Sequence, residues 1–94
     1  MYGFTNAAGS SLWRGGRFAM AGAEFRWQAK VYDDESSFGV DNGRVSKLWV
    51  ARLQELPDNG RYWRAVAYYD RGWCTEPATP EAKAAVAHIL KMFK

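Results

Sequence analysis

The residue types that most often carry out catalysis are scarce in this sequence. His88 is the only histidine and Cys74 is the only cysteine. A cysteine nucleophile needs a histidine within hydrogen-bond reach, and a zinc site needs several such ligands close together. His88 falls on the polar side of a predicted helix, away from Cys74, so we expect it to be a surface residue. The sequence therefore predicts no catalytic residues, no metal site and no cofactor, and the protein is predicted not to be an enzyme.

Three consecutive acids, Asp33, Asp34 and Glu35, form the one carboxylate cluster. Adjacent carboxylates offer the oxygen ligands that divalent cations prefer. Short charge runs in loops are usually solvated, however, and the spacing of a calcium-binding loop is missing. We predict a solvated acidic loop here.

The segment Asp70-Arg71-Gly72-Trp73 has two interpretations. In the first it is a turn, in which Asp70 bonds backbone amides, Gly72 takes positive φ and Trp73 folds onto the edge of the core. In the second it is a contact site, because Arg and Trp dominate the hot spots of interfaces. Arg71 and Trp73 are therefore candidate binding residues.

A second candidate surface follows from the alternation between residues 23 and 33. Odd positions there are apolar and even positions are mostly charged, which predicts a strand with one buried face. A cationic outer face with aromatic rings is a form that single-stranded nucleic-acid binders use; the other interpretation is a solvated face. Arg26 and Lys30 point outward on this strand, and Arg64, Tyr62 and Tyr68 join them as candidate residues if the even positions of the last strand also point outward.

Further strands are predicted on both sides of this one. Residues 1–16 have no regular period and are predicted to be a loop, followed by a short strand over 17–21 with a turn or bulge at Gly22. Residues 44–53 form a strand whose facing is ambiguous, so either both faces are covered or a bulge shifts the phase. Residues 57–60 predict a hairpin that returns as a strand over 62–69. We expect an N-terminal arm over 1–22 and one domain over 23–94.

A C-terminal helix completes the predicted fold. Thr79 is a suitable N-cap, Pro80 suits the first helical position, and Glu81 suits the positive end of the helix. Apolar residues then recur at helical spacing along one stripe: Ala82, Ala85, Val86, Ile89, Leu90 and Phe93. The fold class is therefore α+β, an antiparallel meander of three to four strands with one C-terminal helix on one face.

Composition agrees with a single globular domain. The 94 residues are 48% hydrophobic and 24% charged, a balance typical of folded proteins. A net charge of +3 is too small to indicate a nucleic-acid-binding protein by itself. Without a paired cysteine, a leader or a long apolar stretch, we expect a cytoplasmic protein without a membrane partner.

Four sequence blocks lie at residues 25–33 (FRWQAKVYD), 38–48 (FGV, then GRVSKL), 69–73 (YDRGW) and 79–83 (TPEAK). In this order and spacing they resemble an uncharacterised family of short proteins from phages and phage-bearing bacterial genomes, and the resemblance covers about residues 23–93. It implies a mobile-element setting, but no activity and no binding residues. An Asp usually follows the Gly-Trp pair in that pattern, and Cys74 stands there instead.

These observations favour a non-catalytic binding protein of phage type that contacts a host or defence protein, for example as an inhibitor. The surface would be the outer sheet face or the turn at Asp70–Trp73. A single-stranded nucleic-acid-binding domain is the alternative, and a binder that sequesters small nucleotides is a third. A second copy of the chain is a further candidate partner, through the open sheet face.

Overall fold

The protein folds as a five-stranded antiparallel sheet with one helix packed on one face. The computed structural model describes residues 13–35, 37 and 39–93. The strands follow one another across the sheet in chain order, so the predicted α+β meander is confirmed, with five strands in place of three or four. The elements are β1 (Trp13–Met20), β2 (Ala23–Val31), a 3-10 turn (Val40–Asn42), β3 (Val45–Glu55), β4 (Arg61–Asp70), β5 (Trp73–Thr75) and α1 (Pro80–Lys91).

Strand β1 is longer than the sequence predicted, because it begins at Trp13 inside the stretch assigned to a loop. Its glycines conceal the strand pattern but have a packing role. Gly16 pairs with Trp27 of β2, and a Cβ on Gly16 would lie 3.2 Å from the indole nitrogen of Trp27. Ala21 and Gly22 both have positive φ and form the two-residue hairpin to β2.

Strand β5 is the other addition, and the turn before it differs in detail from the prediction. Arg71, with φ 58°, takes the left-handed conformation that was expected at Gly72. The Asp70 N–H donates to the Gly72 carbonyl at 2.9 Å, and the Arg71 N–H donates to the Ser46 carbonyl at 3.1 Å. Trp73 then pairs with Tyr69. The segment is thus a turn between two paired strands.

Bulges settle the facing of the two central strands. The pairing of β2 with β3 shifts between Lys30 and Val31, so that Val45 and Leu48 both face the helix. The pairing of β3 with β4 shifts between Val50 and Ala51, which leaves Val66 as an extra residue on β4. A one-residue insertion moves every residue before it to the other face of the sheet.

Helix α1 covers the apolar face through the predicted stripe. The Thr79 hydroxyl accepts a hydrogen bond from the Ala82 N–H at 3.0 Å, which is the predicted N-cap. Glu81 pairs with Arg52 of β3 at 3.6 Å, which ties the start of the helix to the sheet. The largest fully buried side chains are Phe25, Leu48, Val50 and Ile89.

The sequence predicted that His88 lies on the exposed side of the helix, and this prediction is wrong. It is half-buried, and its ring centroid lies 4.5 Å from that of Phe18 on β1. The helical wheel placed His88 away from the apolar stripe, but β1 extends the sheet far enough to meet it. The prediction failed because the helical wheel considers the helix alone and does not show that Phe18 of β1 lies against this side of it.

Candidate binding face of the sheet

The face of the sheet opposite α1 is the candidate site, and we call it the open face because no described element packs over it. Strand register fixes its members, since directly paired residues of antiparallel strands point to the same face. Rings and cations alternate on this face along the strands. Its central residues are Arg17, Arg26, Gln28, Lys30, Lys47, Trp49, Ala51, Trp63, Ala65 and Tyr68.

Two arginines meet over one indole at one end of the open face. Arg17 and Arg26 are directly paired across β1 and β2. Their guanidinium carbons lie 5.7 and 5.2 Å from the ring centroid of Trp63 on β4. Ala51 of β3 lies in the same row, between Arg26 and β4. Its side chain is small and 0% exposed, which lets Arg26 reach across β3 to Trp63. Both cations therefore contact the same ring through cation–π interactions.

Aromatic rings occupy the next row. Gln28 of β2 pairs with Trp49 of β3, which pairs with Tyr68 of β4. Trp49 is half-buried, while Tyr68 is 39% exposed although it is one of the larger hydrophobic side chains. An exposed ring in the middle of a sheet face offers a flat apolar surface to a ligand.

Lysines occupy the row beyond the rings. Lys30 and Lys47 are directly paired, and Lys47 lies 3.9 Å from Asp70. The Lys30 ammonium lies 5.4 Å from the centroid of the Tyr32 ring. Hydrogen bonding to Lys30, and secondarily its positive charge, lower the pKa of the Tyr32 phenol from its usual value.

The acidic segment lies against this lysine row. A cleft of about 720 Å³ is lined by acids and by cations, namely Asp33, Asp34, Glu35, Lys30, Lys47 and Arg71, with Tyr32 and Ser46. Because both signs of charge line it, the cleft is less suited to an anion than the arginine end of the face.

The residues predicted as a binding set do not all lie together. Arg26, Lys30 and Tyr68 share the open face. Arg64 pairs with Arg52, whose partner is on the helix, so the expectation that Arg64 points outward with Arg26 is wrong.

Tyr62 lies on the same helix-side face, since the extra Val66 reverses the phase of the first half of β4.

The turn residues Arg71 and Trp73 do not lie on the open face either. The Trp73 ring packs edge-on against Tyr69 at 5.0 Å, on the helix side of the sheet. The Arg71 side chain is 69% exposed and contacts Asp70 at 4.0 Å.

Sequence reasoning missed four residues of the open face: Arg17, Lys47, Trp49 and Trp63. Arg17 lies on β1, whose first residues were predicted to be a loop because glycines interrupt the strand pattern. Trp63 was missed because the extra residue Val66 reverses the facing of the first half of β4. A stricter use of the alternation in residues 47, 49, 51 and 53 would have found Lys47 and Trp49, because Leu48 and Val50 fix the opposite face.

Metal binding can be tested directly. Among the described residues, no group of three or more His, Cys, Asp or Glu side chains is arranged to hold an ion. Removing a structural metal lowers the stability of a protein. Because no such metal is predicted here, we expect EDTA to leave the melting temperature unchanged. A thermal melt by circular dichroism with and without EDTA measures this, and a fall of several degrees would show that the loop at Asp33–Glu35 binds an ion.

Comparison with known proteins identifies a family. The family model described as "Domain of unknown function (DUF7678)" matches residues 12–94. The chain belongs to the DUF7678 family. Neither a curated protein nor a solved structure matches the chain.

Membership in DUF7678 confirms an uncharacterised family, which the sequence blocks predicted. The match begins at residue 12, so the DUF7678 domain includes β1, whereas the resemblance covered only residues 23–93. None of the helices in the described part of the DUF7678 chain is long and apolar enough to cross a bilayer.

Proposed function

We propose that the chain is a non-catalytic binding protein whose contact surface is the open face. The observation that supports this most is the cluster of Arg17 and Arg26 over Trp63, on the face that the helix leaves uncovered. Neither guanidinium forms an ion pair with a carboxylate of the described residues. The cluster therefore places two positive charges close together, where they are available to a partner.

The composition of the open face supports the same proposal. Arg, Trp and Tyr are the residue types that contribute most to binding free energy at interfaces. Here Trp49, Trp63 and Tyr68 stand within one patch beside the cations. A face that served only for solubility would need charge but no exposed rings.

The setting that we propose rests on the resemblance to phage and mobile-element proteins. In that setting the protein would act by binding a component of the host, which it would meet in the bacterial cytoplasm. A host or defence protein, inhibited by being bound, is the finer form of the proposal. The hot-spot residues of the open face support it.

Capture from a bacterial lysate tests the proposal. The open-face variant carries Arg17→Ala, Arg26→Ala and Tyr68→Ala, and its control carries Arg64→Ala and Tyr62→Ala on the helix side of β4. We expect the wild type and the control to retain the same component, and the open-face variant to lose at least nine tenths of it. Both variants should stay folded, since exposed charges contribute little to stability.

Two results would contradict the proposal. Equal capture by the open-face variant and the wild type would show that the face is only solvated. Loss of capture by a folded Arg71→Ala, Trp73→Ala variant, with the open-face variant unaffected, would move the site to the turn before β5.

A further inference from the structure

We infer that the open face binds single-stranded nucleic acid, with phosphates on the Arg17–Arg26 pair and on Lys30 and with a base stacked on Tyr68. This inference rests on the proposed function, since it concerns the same contact face, but it names nucleic acid as the partner in place of a host or defence protein. It depends on how charge and rings are ordered along the strands, one row after another.

The first step is the cost of the charge arrangement. Arg17 pairs directly with Arg26, and Lys30 pairs directly with Lys47. Like charges placed opposite one another destabilise a sheet. Asp70 offsets only the lysine pair, through Lys47 at 3.9 Å. The arginine pair contacts the Trp63 ring but forms no ion pair with a carboxylate of the described residues, so a bound phosphate would relieve the repulsion.

The second step is the chemistry of the arginine end. Each guanidinium presents a planar fork of N–H donors, which matches two oxygens of a phosphate. Both guanidinium groups already contact the Trp63 ring, so less side-chain freedom is lost when the anion binds. Lysines in the same place would give charge without this geometry.

The third step is spacing. Arg26 and Lys30 are four residues apart on β2, which is roughly 13 Å along the strand. The row of Trp49 and Tyr68 lies midway between them, because it pairs with Gln28. A short single strand whose backbone runs along β2, with its bases directed toward β4, therefore meets Arg26, then the rings of Trp49 and Tyr68, then Lys30. That order is what a strand with phosphates and unpaired bases requires.

An acidic protein segment fits this face less well. Its carboxylates would satisfy the guanidiniums, but it would leave Tyr68, 39% exposed, without a stacking partner. Every base has a flat ring that can stack on Tyr68, independently of sequence. We therefore expect binding with weak preference among bases.

Fluorescence anisotropy with labelled decamers of thymidine (DNA) and uridine (RNA) tests the inference. Two to three phosphate contacts predict that log K falls with log salt concentration with a slope of roughly −1.4 to −2.1. Arg26→Ala should weaken binding at least fivefold and reduce the steepness of the slope by about 0.7. Tyr68→Ala should weaken binding at least about fivefold with the slope unchanged, because it removes stacking and no charge.

The matched controls lie on β4 and point to the opposite face of the sheet. Arg64→Ala removes the same charge as Arg26→Ala, and Tyr62→Ala removes the same ring as Tyr68→Ala. Both controls should bind the decamers within twofold of the wild type. Arg26→Lys keeps the charge and removes the fork, so it should keep the salt slope and lose affinity. Its circular dichroism melt should match that of the wild type.

Several results would overturn the inference. No binding of either decamer at low salt would do so, as would an equal loss in Arg64→Ala and Arg26→Ala. Tighter binding of a labelled octaglutamate peptide than of the decamers would assign the face to an acidic protein. If the decamers do not bind but capture from lysate still depends on the open face, the proposed function stands and the nucleic-acid inference fails.

Discussion

Replacing Ile89 by alanine is expected to lower the free energy of unfolding by about 2–5 kcal/mol. The Ile89 side chain is 0% exposed and belongs to the core cluster between α1 and the sheet. Truncation removes buried methyl and methylene groups and leaves a cavity that the rigid sheet fills only partly. Chemical denaturation of the two proteins, followed by tryptophan fluorescence, measures the difference.

Lys83→Ala is the matched control, because Lys83 is an exposed residue of the same helix. It should change the free energy of unfolding by less than about 0.5 kcal/mol. His88→Ala is expected to fall between the two, since its ring packs against Phe18. Equal denaturation midpoints for the Ile89 and Lys83 variants would mean that α1 turns a different side to the sheet.

The parts of the fold that the sequence predicts well are those in which one residue period operates without interruption. Strand β2 alternates strictly because one face is buried under α1 and the other is not. The start of α1 is equally legible, since Thr79 and Pro80 have positional preferences that depend on local chemistry alone. The cap and the strand were therefore located without any knowledge of the tertiary structure.

The candidate site was only partly predictable, because one inserted residue decides its membership. The sequence does not show which residue of β4 forms the bulge, because the side chains of Ala65, Val66 and Ala67 are all small and apolar. Pairing with β3 makes the choice, through contacts distant in sequence. The alternation in the sequence therefore placed Tyr68 correctly on the open face, but it placed Arg64 there as well, which is wrong.

A second large effect is expected from Gly39→Ala, which should lower the melting temperature by about 12 °C or more. A Cβ on Gly39 would lie 2.0 Å from the carbonyl oxygen of Gly43 and 2.8 Å from its carbonyl carbon. Both are backbone atoms, so no change of rotamer relieves the clash. Overpacking costs about 1–3 kcal/mol and sometimes more, and about 3 kcal/mol corresponds to the stated shift for a domain of this size.

The clash also reaches the core. The Gly39 carbonyl accepts hydrogen bonds from the Asn42 N–H and from the buried hydroxyl of Tyr69, both at 3.0 Å. Moving Gly39 away from Gly43 would strain both bonds. The backbone of Gly39, with φ −79°, is open to any residue, so the expected loss comes from close approach and not from conformation.

Gly72→Ala is the control for this prediction. A Cβ on Gly72 would have no atom within 4 Å, and Arg71 takes the positive φ of that turn. We expect its melting temperature to stay the same or rise slightly, because alanine restricts the unfolded chain. Calorimetry of both variants decides the matter: if Gly39→Ala melts with Gly72→Ala, then Gly39 and Gly43 do not approach each other as closely as the structure shows. In that case the bond from Tyr69 would not fix the segment before β3.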